Sequence, residues 1–117
     1  MVCLAAALMR AICALLLSLL TLSGVEPVFE RADLVAWCLV PFDAKKRGPE
    51  ERAAMLAQLG LRRFVYDYRA EHIPQWEAEL TALKAHGIAL EGWWFPTTLN
   101  DEAKAALALF RRHDVHP

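Results

Sequence analysis

The feature that most restricts the fold is a repeat. From residue 34 onward an apolar run alternates with an amphipathic segment three times. The spacing is about 28 residues, from Trp37 to Val65 to Trp93. The apolar runs are LVAWCLV at 34–40, FVY at 64–66 and IALEGWWF at 88–95. The first shows no polar alternation, which suits a strand covered on both faces of a parallel sheet. Each run is followed by a helix with its own punctuation. Pro49 takes the first helical position, Glu50 and Glu51 fill the first turn, and Gly60 stops a helix whose apolar stripe is Ala53, Met55, Leu56 and Leu59. Pro74 opens the second helix, where Trp76, Leu80 and Leu83 recur at helical spacing before Gly87. Asn100 caps the third, with Asp101 and Glu102 in its first turn and Arg111, Arg112 and His113 in its last. Its buried stripe is read as Ala103, Ala106, Leu107 and Phe110.

Three strand–helix units with short connections predict an α/β fold with parallel strands and right-handed crossovers. A doubly wound open sheet and a (β/α)8 barrel are both built this way. The chain contains neither GxGxxG nor a GxxxxGKS/T phosphate loop, and plain repetition favours the barrel. A closed barrel takes about 200 residues or more. The 117-residue chain therefore reads as the first three units of a TIM barrel, truncated before the fourth strand. An unpaired sheet edge would then be left open to self-association.

Residues 1–25 have a different character, with Arg10 as their one charge. The run AICALLLSLLTL at 11–22 and the small residues Ser23 and Gly24 match a signal peptide, which implies export. An alternative is a membrane anchor formed by residues 2–22. Residues 26–32 then form a linker and 33–117 the partial barrel. Cys3 and Cys13 lie in the export segment, so Cys38 is the one cysteine of a mature chain and is read as a small buried hydrophobe. Thirteen basic against 14 acidic side chains give no field for nucleic acid or for an anionic membrane.

In parallel α/β folds ligands meet the loops at the strand C-termini. Three stretches fall there: PFDAKKRGP at 41–49, DYRAEHIP at 67–74 and WWFPTTLN at 93–100. Asp67 stands one step past the second strand and, if Val65 points into a barrel, so does Asp67. A carboxylate there suits a substrate hydroxyl, an ammonium or a metal. Arg69 suits an anion, Glu71 stands beside it, and His72 shuttles protons near neutral pH. The competing reading makes Asp67 a turn cap, Arg69 and Glu71 solvated charges and His72 a packing residue. Asp43 is the first-loop candidate for facing a pocket, and Lys45, Lys46 and Arg47 form either a phosphate contact or a solvated turn. In the third stretch alternation sends one of Trp93 and Trp94 to the barrel mouth, where indole suits a sugar ring, and the other to the helix layer. If Glu91 faces the interior, so do Trp93 and Phe95. No HxxxH, CxxC or other metal set is present. His86, His113 and His116 are read as solvent-facing residues at helix ends.

The phrases VAWCLVPFDAKKRGPEERAAML, FVYDYRAEHIPQWEAEL and GWWFPTTLNDEA resemble the N-terminal part of sugar phosphate isomerase/epimerase-like proteins. These belong to the xylose-isomerase-like barrel superfamily, which also includes enzymes of the endonuclease IV type. The resemblance covers about residues 33–117. It implies an eight-stranded barrel, a divalent metal (Mn, Mg, Co or Zn), a small sugar or sugar phosphate as substrate, and proton or hydride movement between adjacent carbons. The metal ligands of such enzymes come largely from later strands. On the substrate side, the resemblance implies roles for Asp67 and His72 in catalysis and for Arg69, Glu71, Trp93 and Trp94 in binding, and Asp43 joins the binding candidates from its place in the first loop. Three expectations follow: an enzyme fragment inactive alone, a non-catalytic sugar-binding or self-associating domain, or a fragment of a metal phosphodiesterase.

Overall fold

The computed structural model describes residues 28–117, and the export segment read for residues 1–25 lies outside them. Three strands, Val35–Ala36 (β1), Arg63–Tyr66 (β2) and Ala89–Trp93 (β3), form a parallel sheet in the order β1-β2-β3. Three helices follow them in turn: Pro49–Gln58 (α1), Trp76–Ala85 (α2) and Asp101–His113 (α3). The class is α/β, as the repeat requires. Among the described residues no helix is long and apolar enough to cross a membrane.

The helices lie in one layer. α2 packs against both α1 and α3, and one apolar cluster joins Ala53 and Leu56, Leu80 and Leu83, and Ala106 and Leu109 to Phe64 and Tyr66 of β2. The opposite face of the sheet is open, with Val35 and Glu91 exposed and Arg63 half-buried. A sheet wound in one direction with helices on one side leaves that second face bare, and the Arg63–Glu91 ion pair, at 3.1 Å, lies across it.

The punctuation acts where the sequence put it. Gly60 and Gly87 adopt φ of 75° and 64° after α1 and α2, the left-handed turn that glycine makes without steric cost. The Asn100 side chain accepts the Ala103 amide at 2.9 Å, a cap worth about 1 kcal/mol.

Five expectations are corrected. The run at 34–40 pairs only through Val35 and Ala36, because the chain turns at Cys38, which has φ of 57°. Cys38 is exposed, not a core residue. Pro74 does not open a helix; it lies within a 3-10 turn, Ala70–Gln75, and α2 begins at Trp76. Leu107 is exposed, and Leu109 takes the buried place beside Phe110. The alternation from Glu91 to Trp93 is broken as well. β2 and β3 pair in register from Arg63–Ala89 to Phe64–Leu90, then jump to Val65–Gly92 and Tyr66–Trp93. Glu91 is the extra residue of this bulge, so Leu90 and Trp93 share a face. Trp93 therefore packs on Tyr66, Tyr68, Trp76 and Phe110 at ring-centroid distances of 4.7–5.4 Å, while Glu91 bonds Arg63. Gly92 stands beside the jump, where a Cβ would come within 3.2 Å of Val65.

A buried charge pair ties α1 to α2. Arg52 Nη1 donates to Glu79 Oε2, and Arg52 Nη2 donates to the Arg47 carbonyl at 2.7 Å. Both residues are almost wholly enclosed, at 2% and 0% exposure. Burial pushes the Glu79 carboxyl above its ordinary value, with Arg52 opposing the shift.

Candidate functional site

The loops at the C-terminal ends of the strands gather most of the sequence candidates around one wall, the turn Ala70–Gln75. The turn is held by a short exchange: the Arg69 amide donates to His72 Nδ1 at 3.0 Å, and the His72 amide donates to the Arg69 carbonyl at 2.8 Å. With Nδ1 accepting, the neutral His72 ring carries its proton on Nε2.

On one side of the turn is a cleft of about 440 Å³ lined by Asp43, Lys46, Arg47, Arg52, Glu71 and His72, among others. On the other is a groove of about 370 Å³ lined by Tyr68, Arg69, Trp94, Phe95, Thr97 and Glu102, among others. The candidates are thus divided: Asp43, Glu71 and His72 on the first side, Arg69 and Trp94 on the second. Trp93 belongs to the core, half-buried against it.

Asp43 is engaged by its own loop. Its carboxylate accepts the Lys45 and Arg47 amides, each at 3.0 Å, and the Arg47 guanidinium at 2.7 Å. The Arg47 amide leads in holding this carboxyl below its ordinary value. The side chain shapes the cleft wall, with three of its acceptor sites taken by its own loop.

Asp67 is different. Tyr66 and Tyr68 turn toward the helix layer, so Val65 and Asp67 turn the other way by alternation. Asp67 is only 3% exposed, yet its Oδ1 has no hydrogen-bond partner among the described residues. A buried carboxylate oxygen without a donor is costly and needs a reason. Desolvation, then the charge of the Asp67 carboxylate and a hydrogen bond to it, push the neighbouring Cys38 thiol upward, while Arg69 opposes; the thiol is thus a weak donor near this carboxylate, whose Oδ1 stays unpartnered.

The second groove has a polar floor and an aromatic wall. Tyr68 Oη donates to Glu102; burial, then this carboxylate, hold the phenol above its usual range. Arg69 Nη1 donates to the Tyr68 carbonyl at 2.8 Å. Trp94 is 60% exposed, so its indole is open to a flat apolar ring. Sequence reasoning missed Tyr68, Glu102 and the Arg52–Glu79 pair. A usable signal existed for the last: both residues sit within the buried helical stripes, next to Ala53 and Leu80.

Another groove, about 560 Å³, lies beside β3 and α3. It is lined by Trp93, Phe95, Leu107, Phe110 and Val115, with Arg111 and His116 as its charged and titratable members. It runs where the outer side of β3 meets α3, and its apolar character marks it as packing surface, not a reaction site. His113 is only half-buried and bonds Glu77 at 2.5 Å, which corrects its reading as a free solvent-facing residue.

Among the described residues no three His, Cys, Asp or Glu side chains are grouped to hold a metal ion. The divalent metal implied by the resemblance therefore finds no ligand set in this part of the chain, and no step is derived through it. Comparison of the chain with family models, with curated proteins and with solved structures finds no match.

Proposed function

We propose that this chain is a sector of a (β/α)8 barrel of the sugar phosphate isomerase/epimerase type, and that its rim binds a small sugar or sugar phosphate. Sequential strand order with every helix on one side supports the barrel reading, because a doubly wound sheet reverses direction and covers both faces. The open outer edge of β3 is then where further βα units complete the sheet, supplied by more chain or by a second copy. Export of the mature chain remains part of the proposal and rests on the run at 11–22.

The observation that carries the reading is Asp67: a carboxylate at a strand's C-terminal end, enclosed, with Oδ1 unpaired. In this reading Asp67 accepts a sugar hydroxyl and, in the complete site, moves a proton at the reacting carbon. His72, with Nδ1 spent on the Arg69 amide, offers Nε2–H as a donor to the ligand. Arg69 fixes a hydroxylate or carbonyl oxygen, and Trp94 offers its face to the C–H side of the ring.

Calorimetry with a free pentose and with a hexose phosphate tests this. The full chain is expected to bind with Kd of about 1 mM, near −4 kcal/mol. Asp67→Asn is expected to weaken binding about tenfold, the loss of about 1.4 kcal/mol, while the melting temperature holds or rises because the unpaired buried charge is gone. Absence of sugar binding, or a variant that binds as tightly as the parent, would contradict the reading.

A further inference from the structure

We infer that the cleft between the β1–α1 loop and the Ala70–Gln75 turn is an oxyanion subsite that takes the phosphate end of the ligand. The inference rests on the sugar-binding reading and names which side of the turn each part of the ligand occupies.

Four observations meet in this cleft. First, its loop is built to hold a shape. Asp43 accepts two loop amides and a guanidinium, and the Arg47 carbonyl is fixed by the enclosed Arg52. Second, Lys46 sits in that loop with φ of 49°. A left-handed backbone is unfavourable for a residue that carries a Cβ, and such strain collects at functional sites. Its ammonium pairs with no acidic side chain among the described residues. Third, His72 spends Nδ1 on the Arg69 amide, so Nε2–H is a donor without a protein partner, and His72 lines the cleft. Fourth, Arg52, at 2% exposure, also lines it and keeps an unpartnered Nε.

Lys46 and His72, which both line the cleft, are thus unspent donors, while the Arg47 and Arg52 guanidiniums beside them are committed to Asp43 and Glu79. Among the acids of the lining, Asp43 is neutralised within its loop, which leaves Glu71 as the one unspent carboxylate. A single carboxylate beside two donors suits a hydroxyl adjacent to a phosphate ester. It disfavours a polyanion, which would meet Glu71 directly. A cleft of about 440 Å³ accepts a phosphate with part of its sugar. Trp94 and Arg69, across the shared turn, then take the remainder of the ring.

The test titrates the full chain with inorganic phosphate, a hexose phosphate and the same hexose without phosphate, observing the phosphate by phosphorus NMR and the sugar by calorimetry. The expected result is binding of both phosphate-bearing probes. Lys46→Gln weakens them about tenfold and leaves the free hexose unchanged. Lys46→Gly serves as the folding control: it relieves the left-handed strain, so its melting temperature holds or rises while phosphate binding is lost. Equal affinity for hexose and hexose phosphate, with no effect of Lys46→Gln, overturns the subsite and leaves the sugar reading intact. Inorganic phosphate binding that responds to Lys46→Gln, without binding of any sugar, upholds the oxyanion site and overturns the sugar reading. Failure of every phosphate probe to bind overturns the subsite.

Discussion

Replacing Glu79 by alanine is expected to lower the stability of the folded region by about 3–5 kcal/mol, because it strands Arg52 as an enclosed charge. Arg52 donates to Glu79 and to the Arg47 carbonyl, and at 2% exposure it has little water to replace the lost carboxylate. Small domains have a total stability of about 5–15 kcal/mol, so the loss is a large fraction of what holds the fold. The pair itself is not the source of a matching gain. A double variant, Arg52→Met with Glu79→Leu, is expected to equal or exceed the parent, since apolar replacement of a buried pair is often neutral or favourable. Urea unfolding followed by Trp fluorescence checks both. A single Glu79→Ala variant that loses under about 1 kcal/mol, the range of exposed pairs, would contradict the buried-pair account.

The second large effect separates the two adjacent tryptophans. Trp93→Ala is expected to cost about 3–5 kcal/mol, as truncations of buried large side chains do. Trp93 lies within 4.7–5.4 Å of four other rings, on β2, the loop after it, α2 and α3, and each aromatic contact adds about 0.5–1.5 kcal/mol beyond burial. Trp94→Ala, at an exposed position, is expected to stay within about 0.5 kcal/mol of the parent and to lose the response of Trp fluorescence to sugar. A larger loss for Trp94→Ala than for Trp93→Ala would contradict the bulge at Glu91, which turns Trp93 and not Trp94 toward the helices.

What could be read from the sequence follows from which signals are local. Pro49, Gly60, Gly87 and Asn100 act through their own backbone or the next turn, and each acts as expected. The three βα units and the Trp76, Leu80 and Leu83 stripe were legible for the same reason. The misreadings involve two elements at once. An extra residue in β3 changes which neighbours share a face only relative to β2, so alternation counted along β3 alone left open which tryptophan faces the helices and wrongly tied Trp93 to the side of Glu91. The left-handed turn at Cys38 ends β1 early, although LVAWCLV carries a strong strand composition. At the site, the cluster 67–72 was visible as a change from apolar strand to charged loop. Its division by the Ala70–Gln75 turn was not, because that depends on a 3-10 turn placed ahead of α2 instead of a helix begun by Pro74. The capture of Asp43 by Lys45 and Arg47 was likewise hidden until the loop geometry gave it.

The central claim is that ligand binds at the rim around Asp67 and not elsewhere. Residue-resolved NMR of the isotope-labelled full chain, titrated with a hexose phosphate, addresses it directly. The account predicts saturable shifts at the Asp67, Arg69, Glu71 and His72 amides and at the Trp94 indole, with the Lys46 and Arg47 amides moving only for the phosphorylated sugar. Shifts confined to the apolar groove of Phe95, Leu107 and Val115, or no saturable shifts at all, would contradict it.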